Sequence, residues 1–126
     1  MAIPDLIQEI ENASHPNSEL DARIALACGW RRRVREDNGG TRSVVWISDR
    51  REGHLPPFTL SVDAALQLLK AVDPDKKSGG GVSWVPEEGL ATCGVFGLEY
   101  CHAHSVAMAL CVAALKIRAR ETGGEH

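Results

Sequence analysis

The chain has 126 residues, enough for one domain with its own hydrophobic core, and 44% of them are hydrophobic and 25% charged. This composition excludes a disordered chain, and a formal net charge of -3 excludes a generally basic nucleic-acid-binding protein. The sequence has no run of roughly 20 apolar residues, and because its first residues lack a basic region before an apolar core, we expect no secretory signal. We therefore expect a single cytoplasmic domain over residues 1–126, with a flexible tail at 121–126.

The first two predicted elements are helices. Pro4 suits a first helical turn, and the isoleucines and leucine between residues 3 and 10 share one face, so a helix is predicted to about Asn12. A second helix is predicted to begin at Ser18, which would cap it with Asp21 as a capping-box partner. Gly29 is the expected stop.

A β-hairpin is predicted over residues 30–48, because a turn of Asp, Asn and two glycines separates two β-prone runs. The period of two in the first strand places Arg31, Arg33 and Arg35 on one face. The second strand is apolar on both sides, which predicts a central strand covered on both faces.

The remaining predicted elements are a third helix, a second hairpin and a final helix. Pro56 and Pro57 predict a connection, and a third helix capped by Ser61 follows it. Its expected buried stripe consists of Val62, Leu66, Leu69 and Val72. A flexible loop at 73–81, a second hairpin at 82–97 and a final helix from Ser105 to about 121 complete the chain. The final helix is apolar almost all round from Val106 to Leu115 and basic at its C-terminal end. The second hairpin is expected to place Cys93 and Val95 on one face and Thr92 and Phe96 on the other.

The fold class predicted by this order is α/β, with the elements helix, helix, strand, strand, helix, strand, strand and helix. A single four-stranded, mainly antiparallel sheet with the helices packed on it would bury the apolar stripes of all four helices.

Three stretches, in this order, resemble the phage ABA sandwich domain family: ELDARIALACGW at 19–30, LPPFTLSVDAALQLL at 55–69 and HSVAMALCVAALKIRA at 104–119. The family commonly has Thr-Pro where this chain has Ser105 and Val106, and the preceding CHAH is not part of its pattern. The resemblance implies a three-layer α/β/α sandwich, a phage or prophage source and no catalytic motif.

Five residues in and before the final helix are candidate zinc ligands. They are Cys93, Cys101, His102, His104 and Cys111. A cysteine–histidine nucleophile could be formed by Cys101 or Cys93 with His102 or His104. No C-x2-C knuckle is present, and free cysteine is one of the most buried residue types, so core packing is the favoured interpretation. With Cys28, the thiols are expected to be reduced, without disulfides. The glycine-rich runs NGG and KKSGGG lack the spacing of a phosphate loop and are read as turns.

The arginine row is the feature that most favours a function. Residues 31–51 hold seven arginines against three acidic residues. The predicted ligand-binding residues are Arg31, Arg33, Arg35, Arg42 and Trp46, since guanidinium groups grip phosphates and carboxylates and an indole offers a stacking surface. The alternative is a solvated edge strand whose charges prevent sheet-to-sheet pairing.

These observations predict a non-catalytic, phage- or prophage-encoded accessory protein without cofactor or metal. Its expected partner is a small anionic, nucleotide-like ligand, such as a host antiphage defence signal. The alternative is a module that docks on an acidic surface of a host protein or phage structural component. Neither a membrane nor a specific nucleic-acid sequence is expected as a partner, and a homo-oligomer is expected because subunits could enclose a ligand together.

Overall fold

A computed structural model describes residues 3–49, 51–73, 79–95 and 97–121 of the chain. Within these ranges the fold is mixed α/β, with four α-helices and two three-stranded antiparallel sheets. The order of elements is α1 (Ile3–Asn12), α2 (Ser18–Ala27), β1 (Arg31–Glu36), β2 (Arg42–Ser48), β3 (Arg51–Gly53), α3 (Val62–Val72), β4 (Gly80–Val85), β5 (Leu90–Val95), β6 (Cys101–Ala103) and α4 (Val106–Glu121). A short 3-10 helix, Pro86–Glu88, joins β4 to β5.

Helix α4 is the centre of the core. Every residue from Ala107 to Leu115 is buried, and α4 contacts α1, α2, α3 and the β4–β5–β6 sheet. The sheet presents alternate residues to it, because Ala91, Cys93 and Val95 on β5 are buried whereas Thr92 and Gly94 are not. The predicted all-round burial of the first part of this helix is confirmed from Ala107 to Leu115, and Ser105 caps the helix by accepting a hydrogen bond from the backbone N–H of Met108 at 3.2 Å.

The prediction of a single four-stranded sheet was wrong. The first hairpin forms the sheet β1–β2–β3, and the second forms the separate sheet β4–β5–β6. The extra strands β3 and β6 have three residues each and lie outside the two predicted hairpins. Strand β2 is central in its sheet as predicted, but it is not covered on both faces, since Val44 is 48% exposed.

Helix boundaries were predicted more closely than helix faces. Helix α1 ends at Asn12 and α3 is capped by Ser61, as predicted. The cap of α2 is Asn17 rather than Ser18, because the Asn17 side chain accepts hydrogen bonds from the backbone N–H groups of Glu19 and Leu20.

The expected buried stripe of α3 was also partly wrong. Leu69 is buried together with Ala65 and Leu68, whereas Val62 and Leu66 are exposed. This helix therefore packs on α4 through a neighbouring face and leaves part of its apolar surface open.

A buried polar contact joins α2 to the segment before α3. Asp21 is 5% exposed and accepts hydrogen bonds from both the backbone N–H and the hydroxyl of Thr59. The backbone N–H of Asn17 donates to the same hydroxyl at 2.9 Å. Because every one of these polar groups has a partner, the contact can lie in the core without an unsatisfied donor or acceptor.

Three further predictions concern residues that the structure does not describe. The tail beyond Glu121 lies outside the described residues, as do positions 74–78 of the glycine-rich loop and Phe96. In the ranges that the structure does describe, no helix combines the length and apolarity needed to cross a membrane.

Candidate anion-binding hairpin

The β1–β2 hairpin is built around an Asx-type turn. The Asp37 carboxylate accepts hydrogen bonds from the backbone N–H groups of Gly39 and Thr41, both at 2.9 Å. Gly40 has a φ of 81°, a left-handed conformation that glycine adopts without strain. This turn sets the register of the two strands, in which Arg31 pairs with Ile47 and Glu36 pairs with Arg42.

The register confirms that Arg31, Arg33 and Arg35 share one face of the sheet. Their direct partners on β2 are Ile47, Val45 and Ser43, and opposite residues in an antiparallel pair point to the same side. All six residues of β1 are exposed. We call the side chains of Arg31, Arg33 and Arg35 the arginine row.

Arg42 and Trp46 lie on the opposite face from the arginine row, so the structure divides the predicted ligand-binding set. Arg42 pairs with Glu36, and Trp46 pairs with Arg32. Trp46 is only 6% exposed and its ring lies under the Arg32 guanidinium, 5.8 Å from the guanidinium carbon to the ring centroid. The indole is therefore largely covered by the protein itself and is not an open stacking surface.

Only one member of the arginine row forms an ion pair within the described residues. Arg35 donates a hydrogen bond to the Glu52 carboxylate at 2.8 Å. This hydrogen bond, together with the charges of Arg35 and Arg33, lowers the pKa of Glu52. The guanidinium groups of Arg31 and Arg33 are exposed, so they can donate hydrogen bonds to the oxygens of an external anion.

A cleft on the other face of the sheet contains Trp46 together with residues that the sequence did not single out. It has a volume of about 440 Å³ and lies between the sheet and α3. Trp30, Trp46 and Phe58 form apolar walls, with Arg51 and His54 also among the lining residues. Arg51 was counted among the arginines of the segment, but its place at the cleft depends on β3, which is too short to give a periodic signal.

The cysteines and histidines do not converge. Cys93 and Cys101 are paired residues of β5 and β6 and face the core, while Cys111 donates a hydrogen bond to the carbonyl oxygen of Phe58 at 3.3 Å. His102 is on the outer face, where its Nδ1 lies 3.1 Å from the hydroxyl of Thr92. Among the described residues, no group of three or more histidine, cysteine or acidic side chains could hold a metal ion.

The thiols are poorly suited to nucleophilic chemistry near neutral pH. Burial raises the pKa of Cys28 and of Cys93 to about 11. Burial likewise raises the pKa of Cys101 and of Cys111, and for Cys111 the charge of Asp21 adds to the effect. The thiolate is the reactive form of cysteine, so these groups are held largely in the unreactive thiol form.

Comparisons of the chain with protein-family models, with curated proteins and with solved structures found no match.

Proposed function

We propose that the protein is a non-catalytic binding protein whose arginine row docks on an acidic surface of a protein partner. The observation that carries the proposal is the exposure of β1 along its whole length, with three guanidinium groups on one face. Strands β1 and β2 together contain five arginines and a single acidic residue, Glu36. Such a surface favours association with a negative partner, and most strongly at low salt.

The openness of the hairpin supports a macromolecular partner rather than a small one. Small-molecule sites are concave and bury most of the ligand. The arginine row instead lies on a sheet face where Arg31, Arg33 and Arg35 are all exposed. A broad acidic surface can contact several of these groups at once, whereas a single nucleotide would leave most of its own surface in water.

The phage setting is a further part of this proposal. It comes from the resemblance of residues 19–30, 55–69 and 104–119 to the phage ABA sandwich domain family. Four helices and two antiparallel sheets are compatible with a layered sandwich, and the exposed hairpin would be its docking arm. A host protein or a phage structural component would be the acidic partner.

The test is salt-dependent binding of a fluorescein-labelled oligoglutamate peptide, measured by fluorescence anisotropy. We expect Arg33→Glu to weaken binding at least tenfold and Arg42→Glu to have a much smaller effect. The two variants make the same change of charge on opposite faces of one hairpin. Glu52→Gln should strengthen binding roughly twofold to fivefold, because it releases Arg35 from its surface ion pair.

Two results would contradict the proposal. One is wild-type protein that does not bind the peptide at low salt. The other is an equal loss of binding in Arg33→Glu and Arg42→Glu, which would indicate a response to net charge alone and no role for the arginine row.

The cleft of about 440 Å³ favours a second candidate function, sequestration of a small anionic ligand with an aromatic ring. Its volume lies within the roughly 300–1,000 Å³ of small-molecule sites, and the partly exposed indole of Trp30 in a lining that includes Arg51 suits a nucleotide signal. Gly53 offers a direct test, since a Cβ placed there meets no atom within 4 Å. Calorimetric titration with cyclic dinucleotides and ADP-ribose should give heat with the wild type and none with Gly53→Leu. No heat with the wild type would exclude this function for these ligands.

A further inference from the structure

Strand β4 is an edge strand without the usual protection against pairing with another strand. Among the described strands, β1 is also a long edge, but it carries four arginines, and the edges β3 and β6 have only three residues each. Strand β4 has six residues, GGVSWV, without a charge or a proline, and every one is exposed. Natural sheets normally protect such edges with charge, proline or a short strand.

An apolar groove lies beside this edge. A hollow of about 250 Å³ between β4 and α3 and a second hollow of about 530 Å³ towards the 3-10 helix share two lining residues, Val62 and Val82. Leu66 lines the first hollow and Trp84 the second. Trp84 is 62% exposed, and Val62, Leu66 and Val82 are each more than one-third exposed. The open edge and the open face of α3 therefore form one continuous apolar surface.

We propose that β4 pairs with β4 of a second copy of this chain, forming a two-fold symmetric dimer with a continuous six-stranded sheet. Opposite residues in an antiparallel pair share a face, so a register centred on Val82 places Trp84 of each copy opposite Gly80 of the other. Gly80 has no side chain to obstruct the indole, and a Cβ there would collide with the carbonyl oxygen of Gly94. The large side chain thus faces a position that the fold itself requires to be glycine.

Strand β4 is complementary to a second copy of itself, and this favours a second copy of the chain over a foreign peptide as the partner. Val82 and Trp84 point to the same side of the sheet as Cys93 and Ala91, their buried partners on β5, so both would face the apolar side of the dimer. No charge lies between Gly79 and Pro86, so the pairing brings no like charges together. About a dozen exposed residues line the groove, fewer than the roughly 20–30 residues per side of a standard interface, so we expect a small interface and a dimer that forms at micromolar concentration.

The first experiment is sedimentation equilibrium of the purified full chain. We expect the wild type to have twice the 13.6 kDa mass of one chain. Trp84→Lys and Val82→Lys should be monomeric, because they introduce a charge at the edge and replace exposed side chains, and their circular dichroism should match the wild type. Val34→Lys is the matched control, since Val34 is 61% exposed on the other sheet, and it should remain dimeric.

Tryptophan fluorescence gives a second readout. Of the three tryptophans, Trp46 is buried and Trp84 is the most exposed, so burial of Trp84 in the dimer should shift the emission to shorter wavelength as the protein is concentrated. The Trp84→Lys variant should lack this shift. A monomeric wild type at high micromolar concentration would overturn the proposal, even if the groove then bound an added extended peptide. A dimer that persists in both lysine variants, or that dissociates in Val34→Lys alone, would overturn it equally.

Discussion

The carboxylate of Asp21 accepts two hydrogen bonds from Thr59, one from the backbone N–H at 2.7 Å and one from the hydroxyl at 2.8 Å. The two residues are 38 positions apart in the chain, so the contact fixes α2 against the segment that leads into α3. Both residues are buried, and each provides the hydrogen-bond partner that the other would otherwise lack in the core.

Removing this carboxylate should destabilise the fold. Asp21→Ala leaves the N–H and hydroxyl of Thr59 without their shared acceptor, which should lower the free energy of unfolding by about 2–4 kcal/mol. Urea denaturation measures the change. Glu19→Ala on the same helix is the control, because Glu19 is exposed and its loss should cost less than about 0.5 kcal/mol. Equal losses of unfolding free energy in the two variants would show that the buried contact contributes no more to stability than an exposed side chain does.

The same carboxylate should make stability depend on pH. Burial raises the pKa of Asp21 above its ordinary value of 3.8, although the hydrogen bonds from Thr59 oppose the shift. The folded protein then binds this proton more tightly than the unfolded chain does. Its contribution to stability is therefore greatest below about pH 4 and is lost as the pH rises through the folded-state pKa.

Asp21→Asn tests this dependence, because the amide oxygen can still accept a hydrogen bond but cannot ionise. We expect the free energy of unfolding of the variant to increase relative to that of the wild type as the pH rises from about 4 towards 7. Urea denaturation at a series of pH values measures the difference. Parallel pH profiles for the two proteins would contradict the assigned direction of the shift.

Two neighbouring substitutions distinguish the true cap of α2 from the predicted one. Asn17→Ala removes the acceptor for the N–H groups of Glu19 and Leu20 and should cost about 1 kcal/mol of stability, whereas Ser18→Ala should cost much less. Thermal or urea denaturation of the two single variants is sufficient. The opposite ranking would mean that the serine caps the helix in solution.

The thiols should react slowly while the protein is folded. At pH 7.5 we expect a thiol-specific chromogenic reagent to modify Cys28 slowly and the buried cysteines more slowly still, because burial raises the pKa of every one of these thiols. All four thiols should react at once in denaturant. His104→Ala should not alter the rates of modification in the folded protein. A marked decrease in the rate in that variant would support the cysteine–histidine nucleophile.

The sequence predicted the helices well because their signals are local. Residues such as Ser61, Ser105 and Gly29 mark helix ends through their own hydrogen bonds or φ values. The arginine row was also predictable, since a period of two needs only the direction of successive side chains. The face of Arg42 was not, because it depends on the exact length of the turn that pairs it with Glu36.

Other features depend on contacts far along the chain. Helix α3 has apolar residues over a wide arc, and only packing on α4 decides that Leu68 is buried and Leu66 is not. The three-residue strands β3 and β6 are too short for any periodicity. Whether the strands form one sheet or two depends on which strands β3 and β6 pair with, and no local sequence pattern predicts that pairing.

The central position of α4 has a consequence for the order of folding during synthesis. This helix supplies the surface against which α1, α3 and the second sheet pack, yet it follows all of them in the chain. A ribosome that has translated only as far as Ser105 has therefore produced amphipathic elements that have no common surface to bury. The core cannot be completed until α4 has emerged, and until then the nascent chain exposes apolar segments of the kind that chaperones bind.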